Sequence, residues 1–498
     1  MPRFHRDPQI LNNEALEILE GLQAKAALTP KDRMAIPLQK PAVLDPLERS
    51  QWQDEVEKTY TPAQAVVESM RCLHCKNPNC VKGCPVGIDI PGFLKATAEG
   101  EFQKAVDTIK ESSLLPAICG RVCPQERQCQ ENCMIGKAHK DVGQSVAIGK
   151  VERFLADWER SQGHSGLEVK PESGHKVAVI GSGPAGLVVA ADCRREGHEV
   201  HVFEALHKLG GVLRYGIPEF RLPKSVVDDQ IETLKKMGVH FHTDYIVGRT
   251  RKLQDLLDKD GFGAAFIGVG AGLPIFMGIP GEDYVGVCTA NEYLTRANLM
   301  GGINPGHSDT PMYRSKKVVV LGGGNVAMDS CRMAKRLGAE EVTVLYRRSR
   351  QEMPARREEV EHAFEEGIRF CFLENACAIN ADENERVKSV TVQRYKLGEP
   401  DASGRRRPVP IEGDTYELEC DTVLIAIGNS SNPLLTTATP GLELNAKGNV
   451  IVDQETGQTS LERVYAGGDI VLGAATVILA MGEGRRAARS INKLLAEK

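Results

Sequence analysis

Two short apolar runs, Lys176–Ile180 and Lys317–Leu321, each break off into a glycine-rich turn. This repeat restricts the fold more than any other feature of the chain. A strand that is apolar on both faces belongs inside a parallel sheet, and a parallel neighbour requires a crossover, usually a helix. Gly181-Ser-Gly183-Pro184-Ala185-Gly186 and Gly322-Gly-Gly324-Asn325-Val-Ala327 present the same parts in the same order. In each, the first glycine permits the tight turn and the second lets the backbone approach a pyrophosphate. The small third residue permits close helix–strand packing. The expected class is therefore α/β, with two Rossmann-like nucleotide-binding domains. A buried run at 422–427, ahead of Val464-Tyr-Ala-Gly-Gly-Asp469, reads as a return to the first of them. The second domain is then inserted in the first. The expected boundaries are 166–290 with 425–498 for the first and 291–424 for the second. Residues 1–165 form an N-terminal α-helical domain, with amphipathic stretches over 90–105 and 143–158. A polar linker is expected over 160–175.

The residues after each glycine loop distinguish the two nucleotides. The second strand of the first unit, Val200-His-Val-Phe-Glu204, ends in an acid at the distance expected for a ribose-binding carboxylate. Gly210-Gly211-Val-Leu-Arg214-Tyr-Gly-Ile-Pro218, extending to Arg221, and Gly467-Gly468-Asp469 fit FAD better than a free nicotinamide nucleotide. Asp469 is placed to bond ribityl hydroxyls, and the helix after Ala474-Ala475-Thr476-Val477 is placed to face the flavin with its N-terminus. Gly270 and Gly428 complete the expected cofactor contacts. In the second unit the strand Val342–Tyr346 ends in Arg347-Arg348, where the first unit has Glu204. An acid there repels a 2′-phosphate, whereas guanidinium groups clamp it, so the second nucleotide is expected to be NADP(H). The bland alternative is an arginine-rich solvated face with Arg350.

Eight of the 14 cysteines lie between Cys72 and Cys133. The spacing is Cys72-x2-Cys75-x4-Cys80-x3-Cys84-Pro85, then Cys119-x3-Cys123-Pro124-x4-Cys129-x3-Cys133. Soft thiolates suit iron bound to sulfide, and in ferredoxin-like runs the last cysteine serves a different cluster from the first three. Two [4Fe-4S] clusters with crossed ligation are expected. Structural zinc is the competing reading, because it also takes four thiolates. The Cys-Pro pairs and three-residue gaps favour iron–sulfur.

Composition removes other classes. The net charge is -5 and aromatics are 5%, against the basic excess and stacking platforms of a nucleic-acid binder. No run is long and apolar enough to span a bilayer, and the first residues lack a signal-peptide core, so a cytoplasmic protein is expected. No CxxxxC pair follows the first flavin helix, which excludes a disulfide reductase.

Arg71-Cys-Leu-His-Cys-Lys-Asn-Pro78, Gly83-Cys-Pro-Val-Gly-Ile-Asp-Ile-Pro91, Ile118-Cys-Gly-Arg-Val-Cys-Pro124 and Val146-Ala-Ile-Gly149 accompany the two loops and Gly467-Gly-Asp469. Together they cover nearly the whole chain beyond its first fifty residues. With them the chain resembles the small (beta) subunit family of NADPH-dependent glutamate synthase. It is at least as similar to the large subunit of the bifurcating NADH-dependent ferredoxin:NADP oxidoreductase, and more distantly to the electron-input half of dihydropyrimidine dehydrogenase. The resemblance implies that Cys72, Cys75, Cys80 and Cys133 hold one cluster. It implies that Cys84, Cys123 and Cys129 hold the other with a non-thiol ligand, Glu152, leaving Cys119 a neighbour. It also implies a second redox subunit as partner, either the glutamate synthase large subunit or a smaller ferredoxin:NAD oxidoreductase-type flavoprotein.

Hydride carries two electrons and a cluster takes one, so FAD belongs between NADPH and the clusters. No general base is needed and none is assigned. The sequence has no room for a glutaminase domain, so glutamate synthesis is expected to need the partner. A non-catalytic assembly subunit is the reading of another class, and intact ligands and loops argue against it.

Overall fold

The first glycine loop leaves the middle strand of a five-stranded parallel sheet. Its order is Val464–Ala466, Ala264–Ile267, Lys176–Ile180, Glu199–Phe203, His240–His242. The second loop leaves the middle strand of another parallel sheet, ordered Val287–Thr289, Thr422–Ile425, Lys317–Leu321, Glu341–Tyr346, Arg369–Phe372. In this computed structural model the described residues are all except 1, 2, 26, 164–167, 305, 307, 402, 403 and 498. Part of the expected linker, 164–167, therefore lies outside the described residues, and the helix Ile148–Ser161 runs into its start.

The insertion of one α/β unit in the other is as expected, but two strands change hands. Thr422–Ile425 pairs with Lys317–Leu321 and Val287–Thr289, so it closes the second sheet and does not return to the first. The return is made by Val464–Ala466, which pairs with Ala264–Ile267. Val287–Thr289 already belongs to the second sheet, ahead of the expected boundary at 291. A run that is apolar on both faces fits either sheet, and only pairing decides between them. The chain crosses between the units twice, and the crossings, Leu273–Pro274 and Asn429–Ser430, pair antiparallel. The second sheet also carries an unforeseen meander of three antiparallel strands, Glu374–Ala381, Val387–Pro400 and Arg406–Glu419. Ile379, Val390 and Val392 of the meander share a core with Val319, Leu321 and Ile425. The meander thus covers the face that a helix would otherwise cover.

The N-terminal domain is helical. The stretch 90–105 is two helices, Ile90–Ala98 and Phe102–Lys110, broken where Gly100 takes φ +78°. The stretch 143–158 becomes a short 3₁₀ turn, Val142–Gln144, and the helix Ile148–Ser161. The C-terminal helix Val477–Ala496 ties this domain to the first sheet. Its Gly484 lies so close to the helix Pro184–Arg195 that a methyl there would stand 2.6 Å from the Ala185 carbonyl oxygen. On its other side Arg485 donates to the Glu111 carbonyl at 2.8 Å.

A buried ionic network joins the N-terminal segment to the second sheet's helices. Glu366 accepts from Arg49 at 3.0 Å and from Arg332 and Arg336 at 2.8 Å. Both of the last two guanidiniums lie over the Phe220 ring, at 4.6 and 3.9 Å. The surrounding arginines hold the Glu366 carboxyl well below its usual range despite burial. Removing one member of such a set strands the others as unpaired buried charges. Glu366→Ala is expected to lower unfolding stability by ~3–5 kcal/mol, read from the urea midpoint at unchanged slope. A loss below ~1 kcal/mol, the range of exposed pairs, contradicts this role for the network.

Candidate functional site

The cysteines fall into two groups, which the chain order does not follow. Cys72 follows the helix Pro62–Met70, whose start is fixed by a Thr61–Gln64 capping box. Cys75 is reached through His74, which takes φ +46°. Cys80 sits in the short helix Asn79–Lys82, and Cys133 caps the helix Met134–His139. Burial pushes the Cys72 thiol up to about 11, with Cys133 and Cys75 adding to the shift. Burial pushes Cys80 up to about 12, with Cys72, Cys133 and Cys75 as its charged neighbours. These four thiols therefore face one another.

The second group gathers Cys84, Cys123, Cys129 and Glu152. Burial raises Cys84, with Glu152 and Cys123 next to it. Burial raises Cys129, followed by Cys84, Cys123 and Glu152. Glu152, on the helix Ile148–Ser161, is pushed up to about 8 by burial, and its Oε1 is buried with no hydrogen-bond partner. Cys119 lies beside Cys123 and is also buried here. A buried carboxyl with an orphaned oxygen among buried thiols is a donor set that suits a cationic centre, whose charge would reverse these shifts. Among the described residues no three of these sulfurs lie within 4.8 Å of one another. Four thiolates on zinc, with bonds of about 2.3 Å, stand ~3.8 Å apart, a closer set than these sulfurs make here. The donor set fits an iron–sulfur cube.

At the first loop Gly181 has φ +100°, and a methyl on it would stand 2.5 Å from the Gly268 carbonyl oxygen. Around Gly183, in contrast, nothing lies within 4 Å of such a methyl. That open space lies at the N-terminus of the helix Pro184–Arg195, with Pro184 at its first position, where no N–H is missed. Glu204 is buried beside it. Its Oε2 accepts from the Ser182 N–H at 3.0 Å and Oε1 from the Leu206 N–H at 2.9 Å. Gly211 and Gly468 close around the same loop: a methyl on Gly211 would stand 2.9 Å from Gly183 Cα, and one on Gly468 would stand 3.2 Å from Ala185 Cβ. Asp469 is pushed up to about 6 by burial, and its Oδ1 accepts from the Ala475 N–H at 3.3 Å. Thr476 caps the C-terminal helix. Gly270 borders open space.

Two arginines assigned to this site have other partners. Arg221 is buried and binds both oxygens of Asp329, at 2.7 and 2.8 Å, so it belongs to the ionic network. Arg214 pairs with Asp228 and donates to the Leu209 carbonyl at 3.1 Å. Sequence reasoning also missed Tyr215. Its hydroxyl is pushed up to about 12 by burial, and Asp469 and Glu204 are its charged neighbours. Its place within Gly210–Pro218 was the available signal.

At the second loop Gly322 takes φ +137° and packs against the Ala426 carbonyl, and Ala327 is fully buried. The space at Gly324 is open, with Pro354 Cγ at 4.0 Å its only near atom. Asn325 Oδ1 accepts from the Arg356 N–H at 2.8 Å. Arg347 and Arg348 diverge. Arg348 is buried, bound to Asp401 at 2.8 Å and to the Arg406 carbonyl at 2.8 Å. Arg347 is exposed and makes no hydrogen bond or ion pair among the described residues. Gly428, with φ +122°, lies at the second crossing.

The thiol groups meet the first sheet's domain directly. Pro85 and Val86, next to Cys84, lie 3.6 and 3.4 Å from the position of a methyl on Gly482 in the C-terminal helix. Cys119 and Cys123 share a core with Ala185, Ile478 and Met481.

Two family models match separate stretches of the chain. Residues 49–164 match the family model of dihydropyrimidine dehydrogenase domain II, 4Fe-4S cluster, and residues 175–484 that of pyridine nucleotide-disulphide oxidoreductases. The glutamate synthase [NADPH] small chain of Halomonas elongata is 38% identical over 442 residues, 88% of this chain and 92% of that protein. The NADP(+)-dependent formate dehydrogenase subunit beta of Moorella thermoacetica is 39% identical over 84% of this chain and 60% of its own length. The solved structure of Mycobacterium tuberculosis FprA in complex with NADPH shares the fold alone, with TM-score 0.54 and 19% identity over 66% of this chain and 85% of that one.

The open space at Gly183 and the closed space at Gly186, whose methyl would run into the Gly181 carbonyl, give contrasting expectations. Gly183→Val is expected to fold, with an unchanged far-ultraviolet spectrum, and to purify without flavin absorbance. Gly186→Val is expected to lose solubility. Flavin retained by Gly183→Val contradicts the cradle.

Proposed function

The chain belongs to the family of the NADPH glutamate synthase small chain, and on that footing we propose that it carries electrons from NADPH through FAD and two [4Fe-4S] clusters to a partner subunit. It is an NADPH-linked iron–sulfur flavoprotein oxidoreductase. The single observation that carries the finer reading is the second donor group, in which buried Glu152 holds an unpartnered oxygen beside Cys84, Cys123 and Cys129.

In this reading Cys72, Cys75, Cys80 and Cys133 hold one cluster, and Cys84, Cys123, Cys129 and Glu152 hold the other. Gly183 and the helix N-terminus behind it receive the FAD pyrophosphate, and Glu204 accepts from the adenosine ribose. Asp469 and Thr476 lie toward the flavin. Bound FAD supplies the exchange between a two-electron hydride and single electrons. The chain's own part is to hold the parts in order. Pro85 and Val86 bring the Cys84 group against the helix that begins at the flavin end, and this supports the Glu152 cluster as the first acceptor. The other group, with Cys75, Cys80 and Cys133 half-buried, then faces the partner.

Arg347 is the free guanidinium for the 2′-phosphate, and Arg348 shapes the turn beneath it. Among the described residues no helix is long and apolar enough to cross a membrane, and we assign the protein to the cytoplasm. The partner in this reading is a glutamate synthase large subunit. A ferredoxin:NAD oxidoreductase-type subunit would give the bifurcating version.

Two measurements test the assignment. Anaerobically purified protein is expected to hold about eight irons, and Glu152→Ala to lose the electron paramagnetic resonance signal of one cluster while keeping the other. Two intact signals in that variant refute the ligand role. Losing a charge-assisted contact worth ~1.5–3 kcal/mol should lower the ratio of kcat/KM for NADPH over NADH by about 10–100-fold in Arg347→Ala. An unchanged ratio refutes the 2′-phosphate clamp.

A further inference from the structure

Three histidines and a glutamate sit together on the outer edge of the first sheet, away from the second loop and the thiol groups. His201 is on the strand Glu199–Phe203, and its register partner on the edge strand is His240. His242 lies two residues further along that strand. His201 Nε2 lies 2.8 Å from Glu199 Oε1, and His201 Nδ1 lies 2.9 Å from His242 Nε2. The His201 and His240 rings stack with centroids 4.7 Å apart. One donor atom from each of Glu199, His201 and His240 lies within 4.8 Å of the other two.

We propose that Glu199, His201 and His240 form a site for a divalent transition-metal ion of the zinc type, with His242 as the residue that orients His201. The donors are two imidazoles and a carboxylate, the mixture such an ion takes alongside a water. Bonds of about 2.0–2.1 Å put tetrahedral donors ~3.3 Å apart, within reach of small side-chain rotations from the present spacing. Metal-ligating histidines donate their second ring N–H to an acceptor, which fixes tautomer and orientation. His201 has that arrangement: Nε2 faces the carboxylate, and Nδ1 faces His242 Nε2. The rings are also held by packing. His201 meets Phe262 edge-on at 5.4 Å, and His242 stacks on Phe203 at 5.0 Å. Lys176 Nζ lies 3.3 Å from Glu199 Oε1, so the ion displaces one cation from the carboxylate. The fourth position opens to solvent through exposed His240.

The site lies at the start of the strand pair whose far end carries Glu204. The Glu204 N–H donates to the His242 carbonyl at 2.8 Å. A bound ion therefore cross-links the two strands that hold the ribose-binding acid. The inference does not depend on the cofactor reading, because none of its ligands touches the cradle or the thiols.

The test is equilibrium dialysis of the full-length, cluster-loaded protein against zinc, with metal content measured directly and a thermal melt alongside. The wild type is expected to take up one zinc per chain that His240→Ala and Glu199→Gln do not, while His5→Ala, an exposed histidine elsewhere, takes it up normally. His242→Ala is expected to bind about 10–100-fold more weakly with all three ligands in place. Zinc should raise the melting temperature of the wild type and leave that of His240→Ala unmoved. Equal uptake by wild type and His240→Ala overturns the site, as does no uptake by the wild type. A His242→Ala affinity equal to the wild type's overturns the orienting role. Retained flavin and iron in these variants separate this outcome from failure of the electron-transfer reading.

Discussion

Glu152 is a carboxyl group inside the protein with an oxygen that meets no donor. Burial of such a group is costly unless a positive centre faces it. Around it stand the Cys84 and Cys129 thiols, which burial has likewise driven toward their neutral forms, and Cys123, raised first by its neighbour Cys119 and then by burial. The helical domain is built to hold this arrangement. Its segments cross so that Cys84 leaves its own run to join Cys123 and Cys129, and Cys133 leaves its run to join Cys72, Cys75 and Cys80. Donors gathered from distant turns into one buried place, with an unpartnered carboxyl oxygen among them, are the arrangement a multi-donor centre requires.

The same requirement explains how closely the domains are joined. Electron passage needs fixed short distances, and three kinds of contact fix them. The glycines of the C-terminal helix let it lie against both the flavin-loop helix and the Pro85–Val86 turn. The core containing Cys119 and Cys123 is continuous with that of the first sheet. The ionic network around Glu366 and Arg332 holds the N-terminal segment on the second nucleotide unit. Arg356 joins these regions, donating to the Arg121 carbonyl at 2.6 Å while its own N–H binds Asn325 at the second loop.

Much of this was legible because the chemistry demands particular residues at particular spacings. Glycine loops, the acid after one strand and the arginines after the other, and the cysteine runs each carry a local signature. The parallel sheets, the insertion and the oxidoreductase family followed from them. What the sequence hid was pairing. The strand at 422–425 is apolar on both faces and fitted either sheet, and the meander over 374–419 has no local mark of its place. Arg221 and Arg348 stood where cofactor ligands stand, but the buried Asp329 claimed the first, and Asp401 with the Arg406 carbonyl claimed the second. Arg49 lay in a segment that gave no functional sign, because its partners are more than three hundred residues away. Only three-dimensional contact distinguishes an exposed guanidinium such as Arg347 from one that neutralises a carboxylate, as Arg348 does.

Glycine loops, crossed thiols and Glu152 together make sense if one chain links a nicotinamide nucleotide, a flavin and two clusters. An anaerobic titration of the purified protein with NADPH, monitored by absorbance and by electron paramagnetic resonance, puts that linkage to the test. NADPH is expected to bleach the flavin and to bring up the signal of a reduced [4Fe-4S] cluster, and NADH at equal concentration is expected to be much slower. A protein whose flavin is reduced while its clusters stay oxidised, even under a dithionite-level reductant, or one that purifies without flavin and iron, contradicts the linkage.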